Sequence, residues 1–142
     1  MKIKLINIYS FPVRANTDWL ILEIVSKNNI KGYSELTMSN YYKRDELISI
    51  TKKLIKKLSN KDVENDNQVK KDLEENMEES LIFNTSVSGI RSACSDIFSK
   101  IKKVPMNIYL AELKKRKISN SVELYANINR SLLPNNDGPV DR

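Results

Sequence analysis

The hydrophobic period of this 142-residue chain changes once, near Asp45, and that change limits the folds open to it. Before Asp45, apolar residues recur at every second position. Ile3, Leu5, Tyr9, Phe11 and Val13 share one parity, with Lys2, Lys4 and Ser10 on the other, which predicts a strand over 2–13. Pro12 cannot donate to a ladder, so it marks the strand's end or an edge position. A polar stretch at 14–18 follows, then a second strand over 19–25, apolar on both faces except at Glu23. The turn formers of 27–30 lead to a short third strand over 31–37. Three strands with short connections predict an antiparallel meander.

Beyond Asp45 the period becomes helical. Leu47, Ile48, Thr51, Leu54, Ile55 and Leu58 fall on one face with lysines opposite, and Asp45 suits an N-cap or first turn. The stretch 59–62 breaks that pattern. Val69, Leu73, Met77 and Leu81 then mark an acidic amphipathic helix, and Asn84, Thr85 and Ser86 offer the next N-cap. Val87, Ile90, Ala93, Cys94, Ile97, Phe98 and Ile101 form the strongest helical stripe, closed by Val104-Pro105. A short helix over 106–114 and a last strand over 122–128 complete the reading. The expected class is α+β: a three-stranded antiparallel meander followed by a three- to four-helix bundle. The last strand lies far from the meander in sequence, so it either joins the meander's edge or belongs to another sheet.

Composition narrows the function classes. Hydrophobic residues at 40% and charged residues at 30% fit a folded, water-exposed domain. No apolar run is long enough for a bilayer-spanning helix, and the N-terminal apolar residues interleave with polar ones, unlike a signal peptide. A cytoplasmic location with no membrane partner is expected. The single cysteine, Cys94, falls in the helical stripe, which predicts a buried, inert thiol. With no histidine in the chain, that common activating base is missing. The net charge of +6 rests on 18 lysines and six arginines that are scattered rather than clustered with aromatic residues. Sixteen asparagines accompany them, a bias that A/T-rich codons also produce. Base stacking would need interleaved aromatic residues, so no nucleic-acid partner is expected.

Four short motifs in order carry a resemblance. Gly32-Tyr33-Ser34-Glu35 closes the meander after an Asn28-Asn29 turn, and Ala93, Asp96, Ile97 and Lys100 lie on the strongest helix. Asp96 and Lys100 form an i,i+4 pair of favourable orientation. Pro105 follows, and then 119–130 reads as an extended run entering a loop. Together these resemble the N-terminal capping domain of the enolase superfamily, in its mandelate racemase and muconate lactonizing branch, with the first strand of the (β/α) barrel after it. The chain departs from the family pattern at three places. Ser34 stands where glycine is usual, Cys94 and Ser95 replace a bulky pair, and Tyr109-Leu110-Ala111-Glu112 replaces a Leu-Leu-Gly-Gly turn, so that helix should run on to about Lys114.

The resemblance implies a capping domain over 1–117 and the start of a truncated barrel over 118–142. It implies a parent enzyme, an acid-sugar dehydratase or racemase, that removes a proton next to a carboxylate with Mg²⁺ assistance. Its substrate would be a small carboxylate or acid sugar, and the parent a homo-oligomer. The metal ligands and bases of the family lie on later barrel strands, so this chain alone is expected to hold no catalytic residue and no metal ligand, and to bind no Mg²⁺. Two mobile cap loops choose the substrate in the family; here they correspond to Arg14, Asn16, Thr17 and Asp18, and to Thr37, Tyr41 and Tyr42. Arg14 suits a substrate carboxylate and the two tyrosines suit the wall of a site. Asn127, Asn129 and Arg130 would lie at the barrel mouth. The alternative reading is a free-standing small α+β binding module that uses its basic surface.

Overall fold

The structure, a computed structural model, describes residues 1–14, 17–37, 43–59, 61–74, 80–118, 121 and 124. Three strands come first: β1 (Ile3–Arg14), β2 (Thr17–Ser26) and β3 (Lys31–Glu35). They pair antiparallel in the order β1-β2-β3, the expected meander. Four helices follow: α1 (Arg44–Leu58), α2 (Asp66–Glu74), α3 (Leu81–Lys102) and α4 (Met106–Lys114). The turn between β2 and β3 places Asn29 at φ 61°, the left-handed conformation that asparagine tolerates. Pro12 lies within β1, which is an edge strand.

The strand β1 departs from its sequence reading. Its odd-numbered apolar residues do not share the core face. Ile3 opposes Ser26 while Leu5 opposes Val25, so Lys4 is an extra residue. This bulge turns the strand over. Ile3 is buried in the core, whereas Leu5, Tyr9 and Phe11 lie on the outer face of the sheet and Ile6 and Ile8 pack inward. A constant two-residue alternation cannot signal a bulge, because the bulge changes the pairing and not the residue types.

Helix α3 is the axis of the molecule. Its buried stripe includes Val87, Ile90, Ala93, Cys94, Ile97 and Phe98, as its spacing predicts. The stripe meets Leu22, Ile24 and Leu36 from the sheet, and Leu47, Leu54, Ile55, Val69 and Leu73 from α1 and α2. Close approach to β3 depends on two glycines. A Cβ on Gly32 would come within 2.1 Å of the Ala93 carbonyl oxygen, and one on Gly89 within 2.3 Å of Leu36 Cδ2. Ser34, standing where the resemblance leads one to expect glycine, donates its hydroxyl to the Gly89 carbonyl at 2.8 Å. The polar side chain therefore finds a partner in the tight contact that its extra atoms occupy.

The start of α3 is also corrected. Its N-cap is Ser80, whose Oγ accepts from the Phe83 backbone N–H at 3.1 Å. Asn84, Thr85 and Ser86 lie inside the helix, and Leu81 is its first residue, exposed rather than part of the preceding stripe. Leu81 keeps helical spacing with Leu73, so periodicity alone could not separate the two helices. Helix α4 ends at Lys114, as the missing glycines suggest. The strand expected over 122–128 lies outside the described residues except for Leu124, which is exposed. Within the described residues no helix is long and apolar enough to cross a membrane.

Candidate functional site

The two stretches read as specificity loops leave the sheet at the same end. Arg14 and Thr17 pair across the β1–β2 hairpin. Strand β3 runs back toward that hairpin, and beyond it the Leu36 N–H still donates to the Leu20 carbonyl at 2.8 Å. Thr37 and the start of α1 therefore emerge beside Asp18. This juxtaposition follows from an odd number of antiparallel strands, which brings the third strand's end back to the first hairpin.

An ion pair joins the two stretches. Arg44 Nη1 lies 2.7 Å from Asp18 Oδ2, and Ser10 Oγ donates to the same oxygen at 2.7 Å. The Ser10 hydroxyl and the Arg44 guanidinium hold the Asp18 carboxyl below the usual carboxylate range. Arg44 also reaches Asp45 at 3.0 Å. Thr37 Oγ1 donates to Glu35 Oε1 at 3.0 Å, and a hollow of about 310 Å³ opens there, lined by Glu35, Thr37, Asn84, Thr85, Ser88 and Gly89. Of the residues singled out from sequence, the structure brings Arg14, Thr17, Asp18 and Thr37 to one end of the sheet. Asn16, Tyr41, Tyr42, Asn127, Asn129 and Arg130 lie outside the described residues. Arg44 and Ser10 escaped sequence reading. A lone arginine at a helix start, 26 residues from its partner, leaves no local signal.

A second constellation occupies the outer face of the sheet. Glu23 is 3% exposed although that face has no helix over it. Its carboxylate accepts from Tyr33 OH at 2.6 Å, Asn7 Nδ2 at 2.8 Å, Lys31 Nζ at 3.1 Å and Tyr9 OH at 3.3 Å. These donors, Tyr33 first, hold the Glu23 carboxyl down to about 2, and Glu23 in turn raises the Tyr33 and Lys31 values. Sequence reading saw only an acid interrupting an apolar strand. The signal was Asn7, Tyr33 and Glu23 at cross-strand positions, visible once the register is known.

The pair that gave the sharpest sequence resemblance turns out to cover an edge. Lys100 Nζ lies 2.7 Å from Asp96 Oδ2. Asp96 also accepts the Tyr33 backbone N–H at 3.0 Å, and Lys100 donates to the Lys31 carbonyl at 2.8 Å. The free side of β3 thus finds its hydrogen bonds on α3. Cys94 is buried and unpaired by disulfide, and burial pushes its thiol up to about 12, so it is no nucleophile.

Three of the least exposed described carboxylates are already paired with cations. Asp18 is neutralised by Arg44, Glu23 by Lys31, and Asp66 by a two-bond contact with Arg91 at 2.6 and 2.9 Å. No group of three potential ligands converges among the described residues. A hard divalent cation needs several oxygens whose charge is not already spent.

Comparison with known proteins places this arrangement. No protein-family model matches the chain, and no curated protein matches it. Solved structures do. An enolase from environmental shotgun sequencing of the Sargasso Sea superposes with a TM-score of 0.68 at 22% identity, over 78% of this chain and 32% of that one. The chain shares its fold with the matched part of that enolase. A mandelate racemase/muconate lactonizing enzyme-like protein from Roseovarius sp. TM1035 gives a TM-score of 0.58 at 16% identity, over 72% of this chain and 28% of its own. An enolase from Agrobacterium radiobacter, a candidate galactarate dehydratase bound to Na and L-malate with an ordered active site, gives 0.64 at 16% identity, over 78% and 28%. This chain therefore spans about a third of the length of the enolase-type structures that it matches.

Proposed function

We propose that this chain is the capping domain of an enolase-superfamily enzyme of the mandelate racemase/muconate lactonizing type. The observation that carries the reading is the Asp18–Arg44 ion pair, with Arg14, Thr17 and Thr37 at the same end of a sheet with this fold. Residues 1–117 form the cap, and 118–142 begin a barrel that supplies the chemistry. The substrate is a small carboxylate or an acid sugar, in keeping with the L-malate held by the Agrobacterium protein. The reaction removes a proton next to the substrate carboxylate, with Mg²⁺ held by residues outside this chain, and yields dehydration or racemisation.

In this reading the chain's own residues select the substrate. Arg14 offers a guanidinium to a carboxylate, while Tyr41 and Tyr42 form a wall. Asp18 and Arg44 position both stretches and do not touch the substrate, because each is already committed to the other. The test is a graft. Residues 1–117 replace the cap of the Agrobacterium relative, and solvent deuterium uptake next to the carboxylate of L-malate and of galactarate is followed by NMR with Mg²⁺. We expect the graft to exchange the proton, and Arg14→Ala within it to raise KM more than it lowers kcat. A folded graft with no exchange on a panel of acid sugars and hydroxy acids defeats the reading.

A further inference from the structure

The two edges of the sheet differ. The edge of β3 is covered by α3 through Asp96 and Lys100. Strand β1 pairs with β2 alone, and no other described residue bonds to its backbone between Ile3 and Ser10. Every second residue of that stretch therefore turns its N–H and C=O away from the sheet, without a partner. Beside this edge, at the far end of β1 from Arg14, a hollow of about 380 Å³ lies between the strand and α1. Ile3, Ile6 and Ile55 give it an apolar floor, and the exposed Lys4, Lys52 and Lys56 stand around it. The C-terminal end of α1 lies at the start of β1, since the Met1 ammonium reaches Asp62 at 2.6 Å.

We propose that this edge and its lysines form a docking site for an acidic, extended peptide segment of another protein, added to β1 as a fourth strand. The site goes beyond the capping role and does not depend on it. Charge complementarity is the first argument. Helix α1 carries its acids, Asp45 and Glu46, in the first turn, so nothing on the helix balances Lys52, Lys53, Lys56 and Lys57. The side chains of these four make no ion pair or hydrogen bond among the described residues. Lys56 and Lys57 suit the negative end of the helix, but Lys52 and Lys53 stand a turn earlier, beyond that effect. Lys4 donates to Asn29 Oδ1 at 2.8 Å, a neutral acceptor that leaves its charge unspent. Lys2 and Lys27, joined by a backbone bond at 2.8 Å, add to the same positive end. The acids of this region are engaged: Asp62 by the Met1 ammonium and Glu23 by Lys31.

The second argument is geometry. Lys52 and Lys56 are one helical turn apart, a rise of about 6 Å. Alternate residues of an extended strand are about 6.7 Å apart, so acids at every second position of an added strand match the two lysines. The residues between them would lie beside Leu5, 51% exposed on the outer face, where apolar side chains suit. The partner segment therefore alternates acidic and apolar residues. Its main chain takes the open groups of β1, and its side chains supply the selectivity. A second copy of this chain brings the same lysines and is repelled. A nucleic acid finds no aromatic ring in the hollow to stack on.

The full chain tests this by NMR titration with the acetylated, amidated peptide Glu-Val-Glu-Val-Glu-Val. We expect amide shifts centred on the residues that line the hollow and slower exchange at alternate amides of β1. Half-saturation should fall on the order of 100 µM, as suits a contact well below standard size. Lys52→Glu combined with Lys56→Glu changes two exposed residues, should keep the helical circular dichroism signal, and should bind about 10-fold more weakly. Lys114→Glu combined with Lys117→Glu makes the same charge change away from the edge and should bind like the parent. Absence of shifts at about 1 mM peptide overturns the proposal. So does equal binding of Lys-Val-Lys-Val-Lys-Val, which removes the charge argument, or binding that the Lys52 and Lys56 reversal leaves intact. Equal binding of dodecanoate, an acidic amphiphile with no backbone to pair, overturns strand addition. Alternate β1 amides already protected in the free chain also overturn it, since the edge then has another occupant.

Discussion

Glu23 shows how one residue can be awkward in a sequence and settled in a fold. Four donors from the two flanking strands, β1 and β3, meet its carboxylate, so its ionised form is favoured far below the ordinary value of 4.5, at about 2. A lowered carboxyl value stabilises the folded state above pH 4.5, and that contribution is lost as pH falls toward about 2. We therefore expect urea midpoints of the parent chain to drop between pH 4.5 and 2, and Glu23→Gln to flatten that part of the profile. Gly32 is the counterpart in which the absence of a side chain decides. A Cβ there meets a backbone carbonyl that cannot swing aside. Gly32→Ala should cost about 3 kcal/mol in chemical denaturation, at the upper end of overpacking effects.

At the scale of elements, ends and edges matter more than interiors. Helix α3 starts where Ser80 caps it, and Ser80→Ala should destabilise the chain by about 1 kcal/mol in thermal melts. The edge of β3 depends on α3 through Asp96 and Lys100. Asp96→Ala removes the acceptor of the Tyr33 N–H, a bond to a charged group worth about 1.5–3 kcal/mol. The Tyr33 amide should then exchange with solvent about 10- to 100-fold faster. Amides in the middle of β2, paired on both sides, should keep their rates. Sequence reading ranked Asp96 and Lys100 as a local helical pair. Their larger role reaches β3, 63 and 69 residues away, where no local pattern can show it.

For the molecule as a whole, one helix holds the sheet and the other helices together. Ile97 is fully buried on α3 and sits at the Gly32 crossing. Ile97→Ala should remove about 2–5 kcal/mol, the range for truncating a buried isoleucine. Because sheet and helices share this core, far-ultraviolet circular dichroism and Trp19 fluorescence should report the loss at the same denaturant midpoint. The Asp18–Arg44 contact forms at the same scale. Neither residue suggests the other in sequence, and their approach comes from the third strand returning along the second.

The sequence by itself determined the α+β class, the three-strand order, the existence of α1, α3 and α4, the left-handed Asn29 turn and the inert Cys94. Each of these depends on periodicity, turn chemistry or one residue's preference, which are local properties. Tertiary structure decided the rest. The Lys4 bulge turned β1 over and moved Leu5, Tyr9 and Phe11 outward, because register is a property of a pair of strands. The Asp18–Arg44 contact, the Glu23 cluster and the cover on β3 each join residues at least eight positions apart. Such contacts form only when the backbone has already brought the groups together, and no spacing within a single segment records them.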